Sequence, residues 1–164
     1  MNNQTVKSWT STAALTALVS LTLFLTPALS HHSFAMYDQT KTVTLTGVVT
    51  GFVGQANHAE LHFYAVGPDG KLMKDAAGKN LSWGVEMAGA AAVAQQGITA
   101  ATFGAGTVFS VKLNPLRDGS NYGSRVGAIA KCPTDPATGK PKIPVAGKHC
   151  DSVPGNELLG GTTF

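Results

Sequence analysis

From Lys41 to Val53 the chain reads KTVTLTGVVTGFV, and apolar and polar residues alternate along it. Val43, Leu45 and then Val49 lean one way, while Thr42, Thr44 and Thr46 lean the other. Successive side chains of a strand point to opposite faces, so this pattern predicts a half-buried strand. Its Thr and Val residues suit a pleated surface. Gly47 interrupts the alternation and predicts a phase shift there, as a bulge or a sharp bend. A long first strand bent at a glycine can serve two sides of a small closed barrel.

Four more segments carry the same period. In His58 to Val66, Ala59, Leu61, Phe63 and Ala65 form a core face, and His58, Glu60, His62 and Tyr64 form a polar one. Gly67-Pro68-Asp69-Gly70 is a turn signal, followed by a polar hairpin connection over 71–79. Asn80 to Met87 predicts a third strand, with Leu81, Trp83, Val85 and Met87 inward and Ser82, Gly84 and Glu86 outward. Ala88 to Gln96 is alanine-rich and stops at Gly97, which predicts one short helix. Ile98 and Phe103 are the apolar residues of the connection after it. Thr107 to Leu113 presents Phe109, Val111 and Leu113 on one face, and Ser124 to Lys131 presents Val126, Ala128 and Ala130. No internal repeat interrupts this order.

Three strands, a helix and two strands is the layout of the OB-fold, a small, partly open Greek-key barrel. The predicted architecture is therefore mainly β: a five-stranded OB-fold-like barrel over 41–131, with one short helix between strands 3 and 4. Residues 31–40 precede it as an extended arm, with Phe34, Met36 and Tyr37 available to cover an open barrel end. Residues 132–164 follow as a Pro-, Gly- and Lys-rich loop and a tail.

The first 30 residues read differently. Lys7 is their only charge, Thr12 to Thr26 is an apolar run, and Ala28-Leu29-Ser30 places small residues where a signal peptidase inspects them. This pattern predicts a signal peptide over 1–30, cut after Ser30 or, as the alternative, after Ala28. The apolar run is short for a membrane span, which needs about 20 residues. No other apolar segment is long enough, so the expected product is periplasmic or secreted, with no stable membrane span after cleavage. The formal charge of +3 loses one unit with Lys7 and is no basic stripe, so nucleic acid is not an expected partner.

Cys132 and Cys150 are the only cysteines. An even count in an oxidising compartment predicts a disulfide. The alternative is a zinc site of Cys132, His149 and Cys150, which lacks an obvious fourth ligand and the usual paired spacing.

Several short pieces carry a resemblance. His31-His32-Ser-Phe, Thr-Leu-Thr-Gly, Asn57-His58, the Trp83-to-Glu86 strand and Asn-Pro-Leu-Arg-Asp-Gly are similar to those of DUF6152, a family of small exported bacterial proteins of unknown function. The resemblance runs from about His31 to Lys131. It implies a small β-barrel and an exported address, and it assigns no activity. This chain departs from the family in reading Gln-Ala-Asn57-His58 where Asn-Pro-His is usual. It also continues into the Cys132–Cys150 segment, where the family tends to have ended.

The candidate chemistry is histidine and carboxylate chemistry. A cut after Ser30 exposes the α-amine of His31, which with its ring and a second histidine from His32, His58 or His62 makes a copper-type ligand set. A cut after Ala28 places His31 third, which also suits square-planar copper. A polar, mobile arm is the structural alternative. In His58-Ala-Glu60-Leu-His62 the glutamate lies two residues after the first histidine, so the zincin pattern is absent. On a strand the three side chains step along one face by about 6.6 Å, either as a solvated face or as the wall of a groove. Glu86 on the neighbouring strand can approach Glu60 or His62, for acid–base work or as an ordinary cross-strand pair. Arg117-Asp118-Gly119-Ser120 reads as a hairpin tip that can also meet an anion. No nucleophile elbow, P-loop or dinucleotide fingerprint occurs.

These readings predict an exported, non-enzymatic binding or accessory domain with its ligand site at Glu60, His62 and Glu86. The ligand is a small molecule, a metal ion or a periplasmic protein. The alternative is a periplasmic copper-binding protein whose metal ligands are His31, His32 and His58, and a hydrolase using Glu60 and Glu86 stands third.

Overall fold

The computed structural model describes residues 34–161, 163 and 164. The predicted leader, His31 and His32 lie outside the described residues. A 3-10 turn, Phe34–Met36, leads into β1 (Val43–Gly54), β2 (His58–Val66), β3 (Ser82–Ala88), α1 (Ala90–Gln95), β4 (Val108–Pro115), β5 (Tyr122–Lys131), a second 3-10 turn (Cys150–Ser152) and β6 (Glu157–Leu159). Among the described residues, no helix is long and apolar enough to cross a membrane.

The strands close into the predicted barrel. β1 pairs antiparallel with β2 along one side and with β4 along the other. β2 pairs with β3, β4 with β5, and β3 meets the start of β5 in parallel. That mixed pairing seals a closed five-stranded barrel with α1 between β3 and β4. β6 adds to the far end of β5, at Ile129–Lys131, beyond the stretch that β3 covers.

The interior is filled by the inward set of each strand. Leu61, Phe63, Val85, Phe109, Val111, Leu113 and Ile129 are fully buried. Phe63 and Phe103 each meet Phe109 edge-on, at 5.1 and 5.8 Å between ring centroids, a favoured aromatic geometry. α1 closes one end with Val93, and the connection after it adds Ile98 and Phe103. The first helical N–H, that of Ala90, donates to the Gln55 carbonyl at 2.9 Å, so the β1–β2 turn caps the helix. Gly97, at φ +80, ends it in the left-handed conformation glycine tolerates.

Two sequence expectations are corrected. Gly47 does not shift the phase of β1. Gly47 lies between Leu45 and Val49 on the inward face, and a Cβ there would collide with the Phe63 ring. The register shift comes later, between Val49 and Gly51. In β5 the predicted Val126–Ala128–Ala130 face is broken by a bulge opposite Val111/Lys112, with Gly127 at φ +70. Gly127 and Ala128 are the two extra residues there, and beyond them Ile129 joins the barrel core while Ala130 joins the outer cluster.

A second, smaller core lies on the outer face of β1, β4 and β5. Cys132 and Cys150 are joined as a disulfide, as predicted, and their sulfurs are not free for the zinc alternative. The disulfide packs with Val108 and Ala130, and Val48, Val153 and Phe164 close around it. This cover buries Thr46 and Ser110, side chains that strand alternation directs to solvent. The Cys150 N–H donates to Ser110 Oγ at 2.9 Å. Ser110 Oγ and Thr46 Oγ1 lie 2.7 Å apart, and Thr46 Oγ1 and His149 Nδ1 lie 2.8 Å apart.

Candidate functional site

Outward-facing β2 residues and the polar face of β3 meet in one register. Glu60 stands directly opposite Glu86, with His58 opposite Ala88 and His62 opposite Gly84. Two carboxylates directly opposed across strands repel each other, and the surroundings answer that charge with donors. Glu60 reaches both neighbours on its own strand: Oε1 is 3.4 Å from His58 Nε2, and Oε2 is 3.1 Å from His62 Nε2. Glu86 Oε2 accepts from the hydroxyl of Tyr37 at 2.9 Å.

Tyr37 comes from the arm. The arm is docked along the β4–β5 turn: Asp38 N–H donates to the Pro115 carbonyl at 2.8 Å, and Arg117 N–H to the Met36 carbonyl at 3.0 Å. Arg117 Nε adds a bond to the Ala35 carbonyl at 3.0 Å. The Arg-Asp-Gly tip is a turn, with Asp118 Oδ1 accepting from Ser120 N–H at 2.8 Å and Gly119 at φ +80. Its arginine therefore holds the arm in place. Docked this way, Tyr37 is 2% exposed.

Tyr122 completes the cluster from β5. It sits opposite Gly84 in the parallel β3–β5 ladder. A Cβ on Gly84 would enter the Tyr122 ring, so the glycine is what lets that ring lie across β3. Burial raises the pKa of both phenols above the usual tyrosine value of 10.0. For Tyr37 the hydrogen bond to Glu86 comes next, then the charges of Glu86 and Glu60. For Tyr122 the charges of Glu60 and Glu86 come next. Both phenols stay protonated at neutral pH and face the carboxylates as donors.

The predicted ligand residues Glu60, His62 and Glu86 are thus brought together, and His58 joins them. Exposure is graded: side chains of His58, Glu60 and His62 are 14, 21 and 41% exposed. Among the described residues no group of three or more His, Cys, Asp or Glu is arranged to hold a metal ion. The sequence reading did not include Tyr37 and Tyr122 in the site. Gly84 was the available signal, because a glycine in the middle of a polar strand face marks a close approach.

Residues 17–125 match the model of a family of unknown function, DUF6152. The chain belongs to the DUF6152 family. Every member of the cluster, from Tyr37 to Tyr122, lies inside the DUF6152 match, whereas the Cys132–Cys150 segment and His149 lie outside it. Nothing among curated proteins or among solved structures matches the chain.

Proposed function

We propose that this DUF6152 protein is an exported, non-enzymatic binding or accessory domain, and that its β2–β3 face receives a cationic group of a ligand or partner. The observation that carries the reading is the register pairing of Glu60 with Glu86. A like-charged pair at directly opposed positions costs stability, and folds tolerate such local conflicts chiefly where a site needs them. The part-exposed ring of Tyr122 adds an electron-rich aromatic wall, which suits an ammonium or guanidinium group. Exposure of His62 and Glu60 leaves the face open to an incoming group.

The test is a thermal-shift series on the wild-type protein with 1,4-diaminobutane, tetramethylammonium and Cu(II), repeated on Glu60→Gln/Glu86→Gln. The proposal expects an organic cation to raise the wild-type melting temperature and to leave the double variant unmoved. Equal shifts in both proteins, or no shift with either organic cation, contradict it.

Copper binding through His31, His32 and His58 is the competing reading. It is supported by the amine–imidazole chemistry of a chain that starts at His31 and by the placement of His58 on the polar face of β2. It requires tight Cu(II) binding that collapses when one residue is added before His31.

A further inference from the structure

Further along β2 from Glu60, toward Val66, the disulfide loop arches over the outer face of β1 and β2. The Ala146 N–H donates to the Pro68 carbonyl at 2.7 Å, which docks the loop on the hairpin after β2. Between them lies a half-open cavity of about 270 Å³. Val66, Met73 and Pro144 supply its apolar wall, and Lys148 and His149 its basic one.

The hydroxyl chain beneath the cavity fixes the tautomer of His149. Ser110 is fully buried and already accepts from the Cys150 N–H. Its own O–H has one acceptor in reach among the described residues, Thr46 Oγ1. Thr46 then donates to His149 Nδ1. The opposite direction would leave the Ser110 proton buried without a partner, which folded proteins avoid. His149 therefore carries its proton on Nε2. That nitrogen has no partner among the described residues and is not sealed from solvent.

We propose that this cavity is a second binding site, for a small monocarboxylate with an apolar body. A donor N–H locked in orientation by a buried network and an adjacent ammonium suit a carboxylate. Lys140, Lys142 and Lys148 against Asp135 make the segment 133–149 net basic. The two carboxylates of the facing hairpin accept from local backbone: Asp69 from the Lys71 N–H at 3.1 Å, and Asp75 from the Ala77 and Lys79 N–H groups at 2.9 Å. The apolar wall takes the hydrocarbon. The cavity lies below the range of about 300–1,000 Å³ that takes drug-sized ligands, so the ligand is small. His149, Lys148 and Pro144 lie beyond the family match, so the site belongs to this chain's own extension.

The test is an amide and imidazole ¹⁵N NMR titration of the disulfide-intact protein with hexanoate, 1-hexanol and inorganic phosphate. The proposal expects saturable shifts around Val66, Met73 and His149 with hexanoate. Hexanol and phosphate should each bind about tenfold more weakly, and Lys148→Gln should reduce hexanoate binding by a similar factor. The His149 ring should show the Nε2–H pattern before any ligand is added. Hexanol binding as well as hexanoate, shifts confined to the β2–β3 face, no saturable shift, or the Nδ1–H pattern overturns the proposal. Because Lys148 is an exposed loop residue, its variant is expected to fold, and the wild-type titration alone decides the outcome.

Discussion

Glu60 and Glu86 face each other directly across the β2–β3 ladder, and each is met by a different set of donors. Histidines of the same strand serve Glu60, while Tyr37, from a segment outside the barrel strands, serves Glu86. The arm is thus part of the site, and four elements contribute to one polar face.

Removing the Tyr37 hydroxyl should be felt as a loss of stability. Tyr37→Phe keeps the ring and deletes the donor to a carboxylate in a part-buried setting. A hydrogen bond to a charged group contributes about 1.5–3 kcal/mol. Urea denaturation should show a loss near the lower end of that range, with faster amide exchange at Asp38.

High pH should unfold the protein through its tyrosines. Folding raises the pKa of Tyr37 and Tyr122 above 10.0. The folded state therefore holds these protons more tightly than the unfolded chain. The linked stability is complete below about pH 10 and is lost as pH rises from there toward the higher folded values. Absorbance of tyrosinate should show two phenols ionising only together with loss of the fold. Tyr37→Phe should reduce the pH dependence of stability in that alkaline window.

Glycines at 47 and 84 are expected to resist substitution for the same steric reason on opposite faces of the sheet. A Cβ at 47 meets Phe63, and one at 84 meets Tyr122. Overpacking of this kind costs about 1–3 kcal/mol. Gly84→Ala should additionally displace Tyr122 and weaken cation binding. Gly47→Ala should lower stability and leave the polar face unchanged, as read by thermal denaturation and the thermal-shift assay.

The disulfide should anchor the second core. Its cysteines are 18 residues apart, and a closed loop of that size stabilises by about 3 kcal/mol in the chain-entropy model. Cys132→Ala/Cys150→Ala should lose stability of that order in denaturant and increase exchange at Val108 and Ala130. Both sulfurs belong to buried residues, so reduction of the native protein should be slow and accelerate at the unfolding midpoint.

Much of this was legible in the sequence. The alternation in His58 to Val66 predicts both the strand and the polar set that became the site. Alanines ending at Gly97 place the helix, and the order of elements gives the barrel. What stayed hidden depends on contacts distant in sequence. Thr46 and Ser110 are polar residues on an outward face, and only the return of the tail, more than a hundred residues after Thr46 in the case of His149, buries them. Tyr37 sits in a stretch with no period, and its role comes from docking along the β4–β5 turn. Gly47 and Gly127 have the same residue type, yet one permits close packing and the other a left-handed bulge. Local pattern does not separate those two uses.

The most direct measurement is a chemical-shift titration of the ¹⁵N-labelled protein with 1,4-diaminobutane. Saturable perturbations centred on Glu60, His62, Glu86 and Tyr122, abolished in Glu60→Gln/Glu86→Gln, are the predicted result. Perturbations scattered over the surface without saturation, or retained in the double variant, would contradict the assignment of this face as the binding site.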